Sequence, residues 1–183
     1  MKIAFATACA ALLLIILTAL SYAHPQIPSG REVVSPSAYV SLEPVARGSS
    51  FQLAVVLKIR NGFHINARKP STEYLIPTDL RANLPNGFKS AGEISYPKGE
   101  LRTFAFSKTP LNVYEDKVIL RVPLAAQSDA PLGAQKIPLK LRYQACSNEV
   151  CLPPVTLDVD AQVAVAANAA NSHPAHRELF TAQ

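Results

Sequence analysis

An antiparallel two-sheet β-sandwich is the fold class this sequence predicts. Three observations point to it: short apolar alternations at period two, Gly, Pro, Asn and Asp punctuating them at regular spacing, and no sustained 3.6-residue periodicity after the first apolar stretch. The chain has 183 residues, 49% of them apolar and 17% charged, with 15 Pro, 7 Gly, 3 Cys and no Trp. That composition describes one globular domain able to bury its own core, and it excludes a collagen, a disordered tail protein and a disulfide-dense miniprotein.

The first segment is set aside before the fold is considered. Met1-Lys2 is a short positive start, Ile3 to Leu20 is almost unbroken apolar chain, and Ser21-Tyr22-Ala23 places small residues at the −3 and −1 positions. This reads as a signal peptide over residues 1–23, cleaved after Ala23, although an apolar run of this length would by itself also permit a retained anchor. Cys9 lies inside the run and not just after it, which argues against a lipid anchor. Export predicts a periplasmic or secreted protein with no stable membrane insertion after cleavage. Loss of Lys2 lowers the formal net charge from +5 to +4. No basic run or aromatic-interleaved basic stripe is present, so nucleic acid is not an expected partner.

Residues 24–36 are rich in proline and are expected to be extended. The domain proper is expected over residues 37–165. Its clearest strand is Phe51 to Arg60, where Phe51, Leu53, Val55, Leu57 and Ile59 share one face and the other face turns polar towards the end. Asn61-Gly62 is a turn, and Phe63-His64-Ile65-Asn66 resumes extended chain. Further strands are expected over 76–82, before the turn Pro85-Asn86-Gly87, and over 118–124, 137–145 and 155–165. Seven to nine strands in all would build the sandwich. Pro123, Pro138, Pro153 and Pro154 cannot donate to a ladder, which confines them to edges, strand starts or bulges. From residue 166 the composition turns to Ala, Asn, Ser and His, and a mobile C-terminal tail over 166–183 is expected.

Signal cleavage would remove Cys9 and leave Cys146 and Cys151, an exported pair expected to form a disulfide. Four residues separate them, a common hairpin loop length, and flanking residues of such a hairpin lie opposite one another within disulfide reach. A ring this short stabilises by only about 2 kcal/mol in the chain-entropy view, against nearly 5 for a ring of about 100 residues. A bond across a short surface loop is also open to an attacking thiolate. Spacing alone therefore leaves a structural staple and a redox pair both open.

The surrounding string carries more. Tyr143-Gln144-Ala145-Cys146-Ser147-Asn148-Glu149-Val150-Cys151-Leu152-Pro153-Pro154-Val155-Thr156 resembles the active-site segment of the N-terminal periplasmic domain of DsbD-type thiol:disulfide interchange proteins. Weaker similarities are Gly62-Phe63-His64-Ile65-Asn66, Tyr74-Leu75-Ile76-Pro77-Thr78 and Tyr96-Pro97-Lys98-Gly99, so that the resemblance runs from about Ser37 to Val165. It implies an immunoglobulin-like sandwich that takes electrons from a thioredoxin-like domain and passes them to oxidised periplasmic client proteins, without a cofactor. It further implies that Cys151 forms the mixed disulfide and that Cys146 resolves it. An aromatic cap loop would fall at Phe104-Ala105-Phe106-Ser107, with Phe106 in the better register. This loop lacks the acidic cluster of well-known members, and the cysteines are separated by four residues, not five. Family members of full length continue into a membrane domain and a thioredoxin-like domain. Since this chain ends at Gln183, a separate membrane electron transporter or thioredoxin-like donor is expected.

Tyr143 and Glu149 flank the cysteines and are candidates for tuning the thiols, against their plainer readings as a core-edge aromatic and a solvated loop charge. Two other functions are kept beside thiol exchange. One is a secreted binding or adaptor domain with a static Cys146–Cys151 staple. The other is a copper-binding sandwich that uses the new amino terminus at His24, with His64 the other histidine inside the domain. His173 and His176 read as exposed tail. No nucleophile elbow, Gly-rich phosphate loop or His-Glu-x-x-His string is present, and hydrolase or nucleotide chemistry has no support.

Overall fold

The computed structural model describes residues 27–181, and within them the regular structure is strand apart from two single 3-10 turns, Gly30–Glu32 and Arg177–Leu179. The strands in chain order are β1 Val34–Val40, β2 Leu42–Glu43, β3 Val45–Ala46, β4 Ser50–Ile59, β5 His64–Asn66, β6 Asp79–Ala82 and β7 Phe88–Ser90. They continue as β8 Glu100–Arg102, β9 Leu111–Tyr114, β10 Lys117–Ala126, β11 Gly133–Tyr143, β12 Ala145–Cys146, β13 Val155–Ala166 and β14 His173–Pro174. The predicted all-β antiparallel sandwich is what the chain forms. One sheet runs β1-β4-β10-β7 and the second β3-β13-β11-β6, with only the short β3–β13 contact parallel.

The period-two rule explains the core between them. Phe51, Leu53, Val55, Leu57 and Ile59 of β4 meet Ile137, Leu139 and Leu141 of β11 and Leu157, Val159, Ala161 and Val163 of β13 in one apolar cluster. Two prolines sit inside long strands without breaking a ladder. The Pro123 carbonyl accepts from Ala91 N just beyond the end of β7, and the Pro138 carbonyl accepts from Asn83 N just beyond β6. Each proline's missing N–H therefore falls where the neighbouring strand has already stopped. The two turns read from the sequence are present, with Gly62 and Gly87 at φ of +80° and +83°. At Gly87 a Cβ would also come within 2.5 Å of Ala130 Cα.

A third sheet, β12-β5-β9-β8, grows from one end of the sandwich. β5 continues β4 after the Gly62 turn, β9 leads into β10, and β12 follows β11 after Gln144. These extensions carry the cysteine pair.

The two terminal segments differ from their compositional reading. Val33 and Val34 are buried, Arg60 N donates to Val33 O, and β1 begins at Val34, inside the stretch expected to be extended. At the other end, where a mobile tail is expected from residue 166, β13 runs to Ala166 and residues 173–181 fold back over the first sheet. Ala175 N donates to Ser41 O, and the Arg121 guanidinium donates to the carbonyls of Leu179 at 3.0 Å and Thr181 at 2.8 Å. Leu179 and Phe180 pack with Tyr39 on Ala54, Val56 and Ile119. The second face of β4 is thus wet at Gln52 and Lys58 but dry in its middle. The signal-peptide reading, Cys9 and His24 lie outside the described residues.

Candidate functional site

Alternation fixes which residues share a face where β11 runs into β12. Tyr143 and Ala145 point into the main core, while Gln144 and Cys146 point to the opposite side. On the facing strand β5, Ile65 belongs to the same core, so His64 and Asn66 share the side of Gln144 and Cys146. Cys146 is paired in register with His64, and Asn66 Nδ2 lies 3.5 Å from Gln144 Oε1. A small antiparallel patch therefore gathers a thiol sulfur, an imidazole and two amides on one face.

The loop 147–150 closes tightly. Ser147 N donates to Val150 O and Leu152 N donates to Ala145 O, both at 2.8 Å, which makes Cys146 and Cys151 a facing pair between two rungs. Pairs of this type bring side chains closest together, and here the Cα atoms are 3.9 Å apart with the Sγ atoms bonded. Ser147 Oγ accepts from the N–H groups of Glu149 and Val150, each at 3.1 Å, and so ties the loop to itself. Cys146 is 0% exposed, whereas Cys151 is half-buried. Beyond Cys151, the Leu152 carbonyl accepts from Gln144 Nε2 at 3.3 Å, and Gln144 Oε1 accepts from Ile76 N at 3.4 Å.

Aromatic rings gather around His64. Phe104 lies on the His64 imidazole with centroids 3.9 Å apart and planes 18° from parallel, and Phe106 lies to the side of both, 5.5 Å from Phe104 and 6.4 Å from His64. Both phenylalanines come from the β8–β9 hairpin loop. Phe104 is the inner, buried ring, held with Leu75, Leu111 and Val113, while Phe106 is 42% exposed. His64 is 1% exposed, and burial lowers its pKa to about 4, opposed by the charge of Glu115. Its Nε2 has no hydrogen-bond partner.

The candidates read from the sequence therefore separate. Cys146 and Cys151 are bonded, and Phe104 and Phe106 gather around His64, the residue paired with Cys146. Tyr143 sits on the core face, where its hydroxyl donates to Gly30 O at 2.7 Å and burial pushes its pKa up to about 12. Glu149 is exposed in the loop. Sequence reasoning weighed His64 only as a copper ligand and passed over Gln144 and Asn66. The available signal was the parity of the alternation, which puts positions 144 and 146 on one side and 143 and 145 on the other. Among the described residues no three His, Cys, Asp or Glu side chains converge as a metal site, and no helix is long and apolar enough to cross a membrane. His173 lies in β14 and His176 stacks edge-on against Tyr39, so the two do not share a helix.

Residues 31–162 match the family described as thiol:disulfide interchange protein DsbD, N-terminal. The chain belongs to the DsbD N-terminal domain family. Membership, together with the Cys146–Cys151 bond, supports a thiol:disulfide exchange module in general terms. Among solved structures, the reduced DsbD N-terminal domain of Neisseria meningitidis is 20% identical with a TM-score of 0.48, covering 85% of this chain and 100% of that one. The N-terminal periplasmic domain of ScsB from Proteus mirabilis is 15% identical with a TM-score of 0.43, covering 70% of this chain and 46% of that one. No curated protein sequence matches the chain.

Proposed function

We propose that this DsbD N-terminal-type domain works in the periplasm, after removal of residues 1–23, as an electron carrier between a thioredoxin-like or membrane-borne dithiol donor and oxidised client proteins. The observation that carries the reading is the asymmetry of the disulfide: an incoming thiolate has access to Cys151 and none to Cys146. Attack of a donor thiolate on Cys151 Sγ breaks the Cys146–Cys151 bond. Cys146 leaves with the electron pair and takes up a proton, and a mixed disulfide to Cys151 forms. The donor's second thiolate then attacks its own sulfur in that mixed disulfide, releasing Cys151 and leaving the donor oxidised. Towards a client the sequence runs in reverse: Cys151 attacks the client disulfide, and Cys146 resolves the mixed disulfide. Phe104 and Phe106 serve as the aromatic cap that keeps small oxidants from the dithiol until a partner docks.

Incubating the oxidised domain with a thioredoxin-like dithiol whose resolving cysteine is replaced by serine tests the roles. Cys146→Ser, added in reduced form to a client disulfide, is expected to accumulate a covalent adduct through Cys151, and Cys151→Ser to form none. A potential below about −300 mV with no exchange would mark the bond as a staple and overturn the reading.

A further inference from the structure

Two buried side-chain atoms on this face lack a hydrogen-bond partner, Asn66 Oδ1 and His64 Nε2, and of the two only the imidazole nitrogen is a base. Buried polar atoms are nearly always paired, and an unpaired one calls for a specific account. His64 is directly opposite Cys146 in the β5–β12 register, and directly opposed side chains have Cβ atoms about 4.5–5.5 Å apart. Phe104 stacks on the imidazole, and Cys146 has no exposure to water. In the disulfide, Cys146 Sγ has no proton to offer. In the dithiol it has one.

We propose that His64 Nε2 is the acceptor for the Cys146 thiol proton in the reduced state and takes that proton when Cys146 resolves the mixed disulfide on Cys151. The inference rests on the exchange reading above and adds to it a residue that handles the proton. In the resolving step the Cys146 S–H bond breaks and its proton passes to Nε2. The sulfur electron pair forms the Cys146–Cys151 bond, the bond from Cys151 to the client sulfur breaks, and the client leaves as a thiolate that recovers one proton. The pair is oxidised by two electrons and the client is reduced by two. When a donor opens the disulfide, Cys146 leaves with the electron pair, takes up one proton and again offers it to Nε2.

The surroundings make a separated ion pair costly. Phe104 is apolar, Asn66 and Gln144 are uncharged, and the charge acting on the imidazole is that of Glu115, whose carboxylate is itself bound by Arg102 at 2.8 Å. Glu149, the acid of the cysteine loop, is exposed. Burial holds His64 neutral as an acceptor, so the proton moves together with formation of the S–S bond and not before it.

The test uses the reduced domain and 5,5′-dithiobis(2-nitrobenzoate) in stopped flow. Attack by Cys151 releases a first equivalent of thionitrobenzoate, and resolution by Cys146 releases a second. In His64→Phe, which keeps an aromatic ring against Phe104, the second phase is expected to slow by at least about tenfold, within the 10²–10⁴ range of general-base effects, with the first phase within about twofold. The wild-type second phase is expected to be nearly level between pH 6 and pH 8, whereas that of the variant rises about tenfold per pH unit, as direct removal of the thiol proton by hydroxide requires. His64→Gln, which keeps an acceptor but no base, is expected to behave alike and serves if His64→Phe does not fold. The nitrogen-15 resonance of wild-type His64 Nε2 is expected to move on reduction. A second phase unchanged in rate and pH profile, an equal slowing of both phases, or an Nε2 resonance identical in the two redox states would overturn the inference. Failure of the exchange reading is seen elsewhere, in the absence of adduct with a protein partner, and leaves both colour phases measurable.

Discussion

The burial of His64 makes the stability of the domain depend on pH in a direction that can be worked out. The native imidazole, with its pKa lowered to about 4, takes a proton near that pH, whereas the unfolded side chain takes one near 6.5. Between those values the unfolded chain binds more proton than the native one, so stability rises with pH through this window and is level above it. The contribution is fully present above pH 6.5 and is lost as pH falls towards 4. Two and a half pKa units at about 1.36 kcal/mol each give roughly 3 kcal/mol. The assay is urea unfolding of the disulfide-intact domain at several pH values from 4 to 8, for wild type and for His64→Phe. Carboxylates such as Glu32 and Asp158, held below their usual range by hydrogen bonds from Ser29 and Lys140, also titrate at the acid end, but they are common to both proteins and cancel in the difference. The wild type is expected to lose about 3 kcal/mol more than His64→Phe between pH 7 and pH 4. Parallel curves for the two proteins would refute a buried neutral imidazole at this position.

The two cap phenylalanines are expected to differ. Phe104→Ala removes a buried ring from a well-filled cluster and should cost about 3–5 kcal/mol, whereas Phe106→Ala, at a partly exposed ring, should cost under about 1.5 kcal/mol, both read by urea midpoint. Alkylation of the reduced pair by iodoacetamide is expected to accelerate in both variants. Tyr143→Phe removes one of two hydrogen bonds to the Gly30 carbonyl, which keeps Val33 N at 3.4 Å, and should lower stability by about 0.5–1.5 kcal/mol while leaving the rate of thiol exchange within twofold of wild type. Truncation before His173 bares Ala54, Val56 and Ile119. It should reduce the unfolding free energy by about 2–4 kcal/mol and raise the binding of a hydrophobic dye, and an unchanged midpoint would show that residues 173–181 contribute nothing to the fold.

Legibility in the sequence followed strand length. β4, β10 and β13 are ten to twelve residues long, and their alternation is plain because each has one face in a continuous core. β7, β8 and β9 have three or four residues, too few for a period to register, yet the last two complete the sheet that carries the site. β1 opens with Val34-Ser35-Pro36 and was legible only as extended chain. As an edge strand it tolerates that proline, and its pairing is supplied by β4 from a distance in sequence. The C-terminal segment misled for a related reason. Its composition is that of a tail, and only Leu179 and Phe180, set against an apolar face that β4 and β10 present together, give it a place to bury surface.

The sandwich, the cysteine pair and its hairpin geometry were legible in the residues alone, because these depend on period, turn residues and spacing, which are local quantities. It also placed Phe104 and Phe106 in a loop near the pair through the family resemblance. Which cysteine is accessible, which phenylalanine is the inner ring, and the placing of His64 opposite Cys146 with a nitrogen unpaired emerge only in the folded chain. Those properties depend on which strands become neighbours. His64 and Cys146 are brought together by the register of two short strands distant in sequence, and the imidazole is covered by a ring from a third segment, the β8–β9 loop. Desolvation is a sum over everything packed around a group, and no local pattern of residues contains it.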